Sequence, residues 1–289
     1  MRARFMIMPV RYLVLGHRGA LGQSLMRELQ KSGEVYGVGR ETFSLEDPTS
    51  VSRAVRTFNP QVIVNCVALM PADRCESEEA LSYQVNYKFP QLLWEAVRDF
   101  GILCFSFSSD FVFDGESNTP YEENAPVSPL SIYGKHKALL ERFAYDIDIE
   151  TFRVLRFSSL ITNTSQRKTF LEKVIDSARM GNRLKLVSDL TMSITTSSLL
   201  AKVISESPNL KLNPVSNVVH EGVLSWSELA LYALDSLNIQ YDYELVPSSA
   251  FSTLAKRPIY SALKMSYACE ILGSKHWRDA VLEVIQSDF

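Results

Sequence analysis

Tyr133 and Lys137 form a Tyr-x-x-x-Lys pair, and Ser109 lies 24 residues before the tyrosine. A spacing of four places the phenol and the ammonium on one face of a helix. A free tyrosine, with a pKa of about 10, is a weak acid near neutrality, and a neighbouring ammonium lowers that pKa by stabilising the phenolate. With the Ser109 hydroxyl on the same substrate oxygen, the three groups predict a site that protonates a carbonyl oxygen as hydride reaches the carbon.

Such a pair also occurs on the exposed face of ordinary helices, so its meaning depends on the elements that carry it. Apolar runs predict strands at residues 11–15, 34–38, 61–65, 102–108 and 151–156. Helical patterns lie between and after them, at residues 23–31, 51–58, 78–100 and 131–145. This alternation predicts an α/β fold with a doubly wound, Rossmann-like parallel sheet. Because ligands bind beyond the carboxyl ends of such strands, residues 16–22, 65–68 and 108–110 are expected to share one crevice.

The second half of the chain has a weaker pattern. It predicts helices at residues 169–180, 197–205, 225–237 and 277–285, extended segments at 184–187 and 215–220, and a polar loop at 241–244. We expect a dinucleotide-binding domain at residues 1–157 and a smaller, mainly substrate-binding C-terminal lobe at 158–289. Part of residues 188–220 is expected to return to the first domain.

The turn after the first strand reads Gly-x-x-Gly-x-x-Gly, with Gly16, Gly19 and Gly22. Glycines let the backbone approach a pyrophosphate, and the following helix offers its amides and positive dipole. A tight strand–helix turn without a ligand is the alternative. The strand before the turn and the helix after it favour dinucleotide binding.

The second strand indicates which dinucleotide is bound. It runs into Arg40, with Glu41 following, and the glycine turn itself contains His17 and Arg18. An acidic residue near this strand end is typical of NAD sites, whereas arginines favour the 2′-phosphate of NADP through charge-assisted hydrogen bonds. We predict NADPH as cofactor, with NADH as the alternative.

The composition argues against several other classes of protein. The chain of 289 residues is 46% hydrophobic and 22% charged, with a net charge of −3, so neither nucleic acid nor a membrane is expected as a partner. Its four cysteines are scattered and its four histidines lack metal-ligand spacing, so no metal is expected. His136 is expected on a solvated helix face. The cysteine pattern, and a start too short for a secretory signal, predict a cytoplasmic protein.

Beyond the glycine turn and the Tyr/Lys pair, nearly the whole chain resembles the dTDP-4-dehydrorhamnose reductase family of the extended short-chain dehydrogenase/reductase superfamily. The glycine turn and the Tyr/Lys pair mark only the superfamily. The block at residues 108–115, Ser-Ser-Asp-Phe-Val-Phe-Asp-Gly, together with Arg257-Pro258, is specific to the family. Other matching segments are residues 65–68, 73–76, 120–123, 129–137, 225–226 and 277–278, and Asn86.

The resemblance implies a role for each matching residue. Tyr133 would be the proton donor, Lys137 would bind the nicotinamide ribose, and Ser109 stands where the family usually has threonine. The residues predicted to bind the cofactor are Gly16, His17, Arg18, Gly19, Ala20, Leu21, Gly22, Arg40, Cys66, Val67, Ala68, Ser108, Tyr133 and Lys137. Those predicted to bind the substrate are Met70, Ser109, Asp110, Phe111 and Arg257, the arginine at the diphosphate.

The related 4,6-dehydratases look like Thr-Asp-Glu at this strand end, whereas here Phe111 follows Asp110. The resemblance therefore favours reduction over dehydration, with a dTDP-4-keto-6-deoxysugar as substrate and its C4 ketone as the reacting group. Related enzymes often form dimers, so a homodimer is an option.

Three segments depart from the family pattern. The usual Tyr-Thr after the third strand is Leu69-Met70 here, and residues 156–161 and 189–195 differ as well. These changes favour a deoxysugar of an antibiotic or surface-polysaccharide pathway over the rhamnose precursor. The alternative is a non-catalytic dinucleotide-binding subunit similar to the regulatory subunit of methionine adenosyltransferase.

Overall fold

A parallel sheet of six strands forms the centre of the protein. The computed structural model describes residues 9–45, 47, 50–147, 150–162 and 169–288. Residues 1–8, on which the prediction about a secretory signal depends, lie outside the described residues. The strands are β1 (Val10–Leu15), β2 (Gly33–Val38), β3 (Val62–Asn65), β4 (Leu103–Ser109), β5 (Phe152–Phe157), β6 (Ser159–Ile161), β7 (Leu184–Val187), β8 (Thr191–Met192), β9 (Ile194–Thr196), β10 (Val215–Asn217), β11 (Leu224–Ser225) and β12 (Tyr243–Val246). The central sheet has the order β10-β5-β4-β3-β1-β2, and its pairings are all parallel.

Helices connect the strands. They are α1 (Ala20–Leu29), α2 (Ser50–Phe58), α3 (Ala72–Ser77), α4 (Glu79–Tyr83), α5 (Phe89–Val97), α6 (Ile132–Ile147), α7 (Phe170–Arg179), α8 (Ser197–Glu206), α9 (Trp226–Ser236), α10 (Tyr267–Ile271) and α11 (Trp277–Asp288). The predicted doubly wound, Rossmann-like sheet is confirmed. No helix in the described part of the chain is both long and apolar enough to cross a bilayer.

Alternating side chains divide the core into two layers. Leu13, Leu15 and Ile63 pack with α2, α5 and α6 on one face of the sheet. Tyr12 and Val14, one residue out of phase, pack with α1, α8 and α10 on the other face. Successive strand residues point to opposite faces, so both faces are covered and the strands read as continuous apolar runs.

The order of the strands creates a crevice. β2 and β3 lie on opposite sides of β1, so the strand order reverses at β1. Ligands of such sheets bind at this switch point. Leu15 pairs with Asn65, and Asn65 pairs with Ser106 on β4. The register therefore brings the carboxyl ends of β1, β3 and β4 to one edge of the sheet.

The segment predicted as one helix at residues 78–100 is interrupted. A π-helical turn, Gln84–Lys88, separates α4 from α5, and a 3-10 turn, Arg98–Phe100, follows. Pro90 in the first turn of α5 has no N–H to donate. Gly101, with φ of 65°, ends the run as predicted.

The C-terminal part holds a separate apolar cluster among α7, α9 and α11. Here β6 pairs with β9, β7 with β12 and β8 with β11. The polar loop predicted at residues 241–244 is wrong for residues 243–244, because Tyr243–Val246 is a strand that pairs with β7. Glu244 lies 3.5 Å from Arg183 and 3.8 Å from Lys185. β10 lies in the central sheet and α8 packs against the same face as α1. The domain division at residue 157 stays a prediction.

Candidate active site

The glycine turn between β1 and α1 is closed by its own backbone. Gly16 has φ of +76° and donates to the Val38 carbonyl at 2.9 Å, while its own carbonyl accepts from the Gly19 amide at 3.0 Å. A Cβ on Gly22 would lie 2.4 Å from the Gly16 oxygen. Glycine is therefore required at 16 by conformation and at 22 by space.

The start of α1 fits a phosphate. Gly19, the N-cap, gives no side-chain hydrogen bond, and the first turn contains no acidic residue. The amides of Ala20, Leu21 and Gly22 open a helix of ten residues, so they offer donors and a positive dipole end to an anion. His17 has a buried Nδ1 atom without a partner among the described residues. These features fit a dinucleotide pyrophosphate.

Gly22→Ala is expected to lower the free energy of unfolding by about 1–3 kcal/mol, because the new methyl group overlaps the Gly16 carbonyl and forces the turn open. Urea denaturation measures the change. Gly19→Ala is the matched control in the same turn, since its Cβ would meet the nearest atom at 3.4 Å. Equal losses in the two variants would contradict the steric account.

The end of β3 lies against the glycine turn. The Cys66 amide donates to the Leu15 carbonyl at 3.0 Å, and the Val67 amide donates to Asn65 Oδ1 at 3.1 Å. A Cβ on Gly16 would lie 3.1 Å from the Cys66 backbone carbon. Cys66 and Val67 are half-buried and Ala68 is exposed, so these residues form the opposite wall of the crevice.

Helix α6 carries Tyr133 and Lys137 inward on one face. Both side chains are buried, and the Lys137 ammonium lies 5.7 Å from the Tyr133 ring centroid. It donates to the Phe107 carbonyl at 2.8 Å. Burial lowers the pKa of Lys137 to about 8.

Tyr133 has its pKa raised, by burial first and then by the charge of Asp110. The lowering predicted from the sequence is therefore wrong, because burial and the charge of Asp110 both disfavour the phenolate. A hydrogen bond with Ser109 acts in the lowering direction. The phenol stays protonated at neutral pH, which is the form that donates a proton to a carbonyl oxygen.

Asp110 orients Ser109. The Ser109 hydroxyl donates to Asp110 Oδ1 at 2.7 Å, while Ser158 and Ser261 donate to Oδ2 at 2.8 and 2.6 Å. Burial raises the pKa of the Asp110 carboxyl, and the three hydroxyls act against this. Asp110 thereby fixes the catalytic candidate Ser109 and links the end of β4 to the C-terminal part of the chain. The contact of Asp110 with substrate stays a prediction.

Ser108 points to a different group from the one expected. Its hydroxyl donates to Glu141 Oε1 at 2.5 Å, and Glu141 pairs with Arg156 at 2.6 Å, all three being buried. The hydroxyl is thus engaged inside the core beneath the site, and cofactor contact by Ser108 stays a prediction.

The remaining predicted site residues are Phe111, Met70, Arg257 and Arg40. Phe111 meets the Tyr133 ring edge-on, with centroids 5.7 Å apart. Met70 is 52% exposed beside Leu69, which packs in the same cluster as Tyr133. Arg257 pairs with Asp73 at 3.2 Å and is half-buried. Arg40 is exposed after β2.

Sequence reasoning missed a polar network behind this wall. Asn86 accepts from the Leu69 amide at 3.1 Å and donates to Ser82 Oγ at 3.1 Å. Ser82 in turn meets His136 Nδ1 at 2.8 Å. His136 is buried, so the expected solvated position is wrong. The signal was Asn86 itself, a carboxamide within an apolar helical run.

Metal ligands are not grouped anywhere in the described ranges: three or more His, Cys, Asp or Glu side chains do not converge on one point. The crevice itself presents the glycine turn, a buried Tyr/Lys pair and the Ser109 hydroxyl.

A glycine turn at the switch point of a parallel sheet, with that Tyr/Lys pair on the helix after β4, defines a Rossmann-fold protein of the extended short-chain dehydrogenase/reductase class. The model of the RmlD substrate binding domain family matches residues 10–288. The chain belongs to this family, and the family predicted from the sequence is confirmed.

Individual relatives cover the same length. The chain is 29% identical to the spore coat polysaccharide biosynthesis protein SpsK of Bacillus subtilis, over 95% of this chain and 96% of the relative. It is 29% identical to a dTDP-4-dehydrorhamnose reductase of Streptomyces griseus, over 94% and 92%. A dTDP-4-dehydrorhamnose reductase of Bacillus anthracis, solved in complex with NADP, superimposes with a TM-score of 0.88 at 23% identity, over 97% and 100%.

Proposed function

We propose that this protein is an NADPH-dependent reductase of the C4 ketone of a dTDP-4-keto-6-deoxysugar. The observation that carries the proposal is the burial of Tyr133, Lys137 and Ser109 together at the carboxyl end of β4, next to the glycine turn. The reductase names of the relatives and the NADP in one related structure support the same reaction and cofactor.

The glycine turn, the end of β3 and the Tyr133/Lys137 pair would hold the cofactor, which supplies hydride when bound. Tyr133 donates its phenolic proton to the ketone oxygen. The Ser109 hydroxyl, which donates to Asp110 in this structure, would turn its proton to the same ketone oxygen and orient it. Lys137 keeps a positive charge near the phenol, which stabilises the phenolate left after proton transfer.

The apolar wall supports a sugar other than the rhamnose precursor. Leu69 is buried against Tyr133 and Met70 is half-exposed at the rim, so neither offers a hydrogen bond to a sugar hydroxyl at this point. We therefore propose a dTDP-deoxysugar of surface-polysaccharide or antibiotic biosynthesis, in agreement with the name of the Bacillus subtilis relative. Phe111, in edge contact with Tyr133, leaves no second carboxylate there for water elimination.

The test is NADPH oxidation at 340 nm with a panel of dTDP-4-keto-6-deoxyhexoses, with products identified by NMR. We expect one member to be reduced at C4, with the rhamnose precursor a poorer substrate. No oxidation of NADPH with any member, together with co-purification of another enzyme, would instead favour the non-catalytic subunit.

The pH profile reports on Lys137. We expect kcat/KM to be constant below about pH 8 and to fall above it, because the ammonium form is lost as pH rises through its lowered pKa of about 8. In Lys137→Arg the guanidinium stays charged, so the basic limb should move beyond the measured range. A limb that stays near pH 8 in this variant would assign it to another group.

A further inference from the structure

Helix α6 carries the reacting groups along one face, and Glu141 occupies the next turn of that face. Tyr133, Lys137 and Glu141 follow one another at intervals of four residues. Tyr133 shares a hydrogen bond with Ser109 at the end of β4. One turn later, Lys137 donates to the Phe107 carbonyl of the same strand at 2.8 Å. The position of the phenol relative to the Ser109 hydroxyl therefore depends on how α6 lies against β4.

Glu141 fastens the helix to the same stretch of β4. Its Oε1 atom accepts from the Ser108 hydroxyl at 2.5 Å, a charge-assisted hydrogen bond. Ser108 lies between Phe107 and Ser109, the two strand residues that the reacting groups of α6 contact. Both partners of the bond are buried, Glu141 at 2% and Ser108 at 1% exposure, so water does not compete for either.

Arg156 of β5 orients this carboxylate. Its Nε atom donates to Glu141 Oε1 at 2.9 Å and its Nη2 atom to Oε2 at 2.6 Å. The guanidinium is fixed in turn by Asn217 of β10, whose Oδ1 accepts from Nη1 at 3.1 Å. The carboxylate is thus held by two elements of the sheet while it is carried by the helix above them.

Stability alone gives little reason for this arrangement. A buried ion pair often adds no more free energy of folding than apolar side chains of similar volume. Two leucines in place of Glu141 and Arg156 would fill much of the space, yet they would offer no acceptor to Ser108. Reacting groups have to be held within about 0.5 Å of the productive geometry, and a misplacement of 1 Å costs about 100-fold in rate. The distinct contribution of the carboxylate is therefore the register of α6 on β4.

We propose that Glu141 is a positioning residue for the reduction: through Ser108 it fixes α6 on the end of β4, so that Tyr133 and Ser109 meet at one ketone oxygen. The inference rests on the proposed function, since it assumes that a ketone is reduced in the crevice. Glu141 touches neither the sugar nor the nicotinamide and acts through the groups that it aligns. The role also explains why the Ser108 hydroxyl is turned into the core.

Ser108→Ala tests the link with the smallest change. We expect kcat to fall about 10–100-fold, while the KM for the sugar and the Kd for NADPH change less than about twofold. The isotope effect of deuterated NADPH on kcat should rise, because the chemical step becomes slow relative to product release. Ser216→Ala is the matched control: this serine of β10 is also buried, and its hydroxyl donates to the Asn213 carbonyl at 3.3 Å. Its kcat should stay at the wild-type value.

The double variant Glu141→Leu/Arg156→Leu separates positioning from stability. Its resistance to urea should exceed that of Arg156→Leu, because no charge is left unpaired, yet its kcat should remain about 10–100-fold below wild type. A kcat that recovers together with the stability would overturn the positioning role.

Two further outcomes distinguish this inference from the proposed function. Wild-type protein that reduces a dTDP-4-keto-6-deoxyhexose, with Ser108→Ala within about twofold of its kcat or changed only in the Kd for NADPH, would overturn the role of Glu141 alone. Wild-type protein that reduces no member of the panel would overturn the proposed function and this inference with it.

Discussion

Tyr133→Phe is expected to lower kcat by about 10²–10⁴-fold, the usual contribution of a positioned general acid. The substitution removes one oxygen from a buried ring that keeps its edge contact with Phe111 and its place beside Lys137. The KM for the sugar and the Kd for NADPH should therefore change little. Steady-state kinetics and calorimetric titration measure the two effects separately.

Tyr145→Phe is the matched control. Tyr145 lies on the same helix, is 44% exposed, and its hydroxyl makes only a long hydrogen bond of 3.4 Å to the Glu123 carbonyl. Its removal should leave kcat near the wild-type value. If both variants turned over at wild-type rates, the phenol of Tyr133 would have no part in proton transfer.

Arg156→Leu is expected to lower the free energy of unfolding by about 3–5 kcal/mol, because it removes the hydrogen-bonded counter-charge of the buried Glu141. Arg156 makes two hydrogen bonds to Glu141, at 2.9 and 2.6 Å, and one to Asn217 at 3.1 Å. Its guanidinium also lies over the Phe113 ring at 4.9 Å. Urea denaturation followed by circular dichroism gives the loss.

An exposed ion pair on α6, the helix that carries Glu141, provides the comparison. Arg142 lies 3.7 Å from Asp146, with side chains 79% and 67% exposed, so Arg142→Leu should cost less than about 1 kcal/mol. In Arg156→Leu combined with Glu141→Leu, the charge imbalance is gone and much of the stability should return. A double variant no more stable than the single one would show that packing, rather than charge, dominates at Arg156.

Local sequence patterns were enough to predict the sheet. Apolar runs located β1 to β5, and the capping box of Ser225 and Glu228 that marks α9 forms as its spacing indicates. Such features depend on residues a few positions apart. The Tyr243–Val246 strand was missed because it has only four residues and its partner, Leu184–Val187, lies far away in the sequence.

The burial of Tyr133 and Lys137 on one helix face agrees with their spacing, but the direction of their pKa shifts could not be predicted. Spacing alone places Tyr133 and Lys137 on one helix face, yet the direction of each pKa depends on how deeply the tertiary fold buries them. The Ser108–Glu141–Arg156 group joins three elements that no short motif connects. The Arg18–Glu41 contact likewise forms only when β2 is placed beside β1.

Transfer of deuterium from cofactor to sugar is the most direct test of the proposed reaction. NADPH deuterated at both C4 positions of the dihydronicotinamide would be incubated with the protein and each dTDP-4-keto-6-deoxyhexose in turn, and the sugar carbons examined by NMR. We predict one deuterium at the former C4 ketone of the preferred sugar, and almost none with Tyr133→Phe over the same time. Protein that binds NADPH yet places no deuterium on any of these sugars would contradict the proposed reduction.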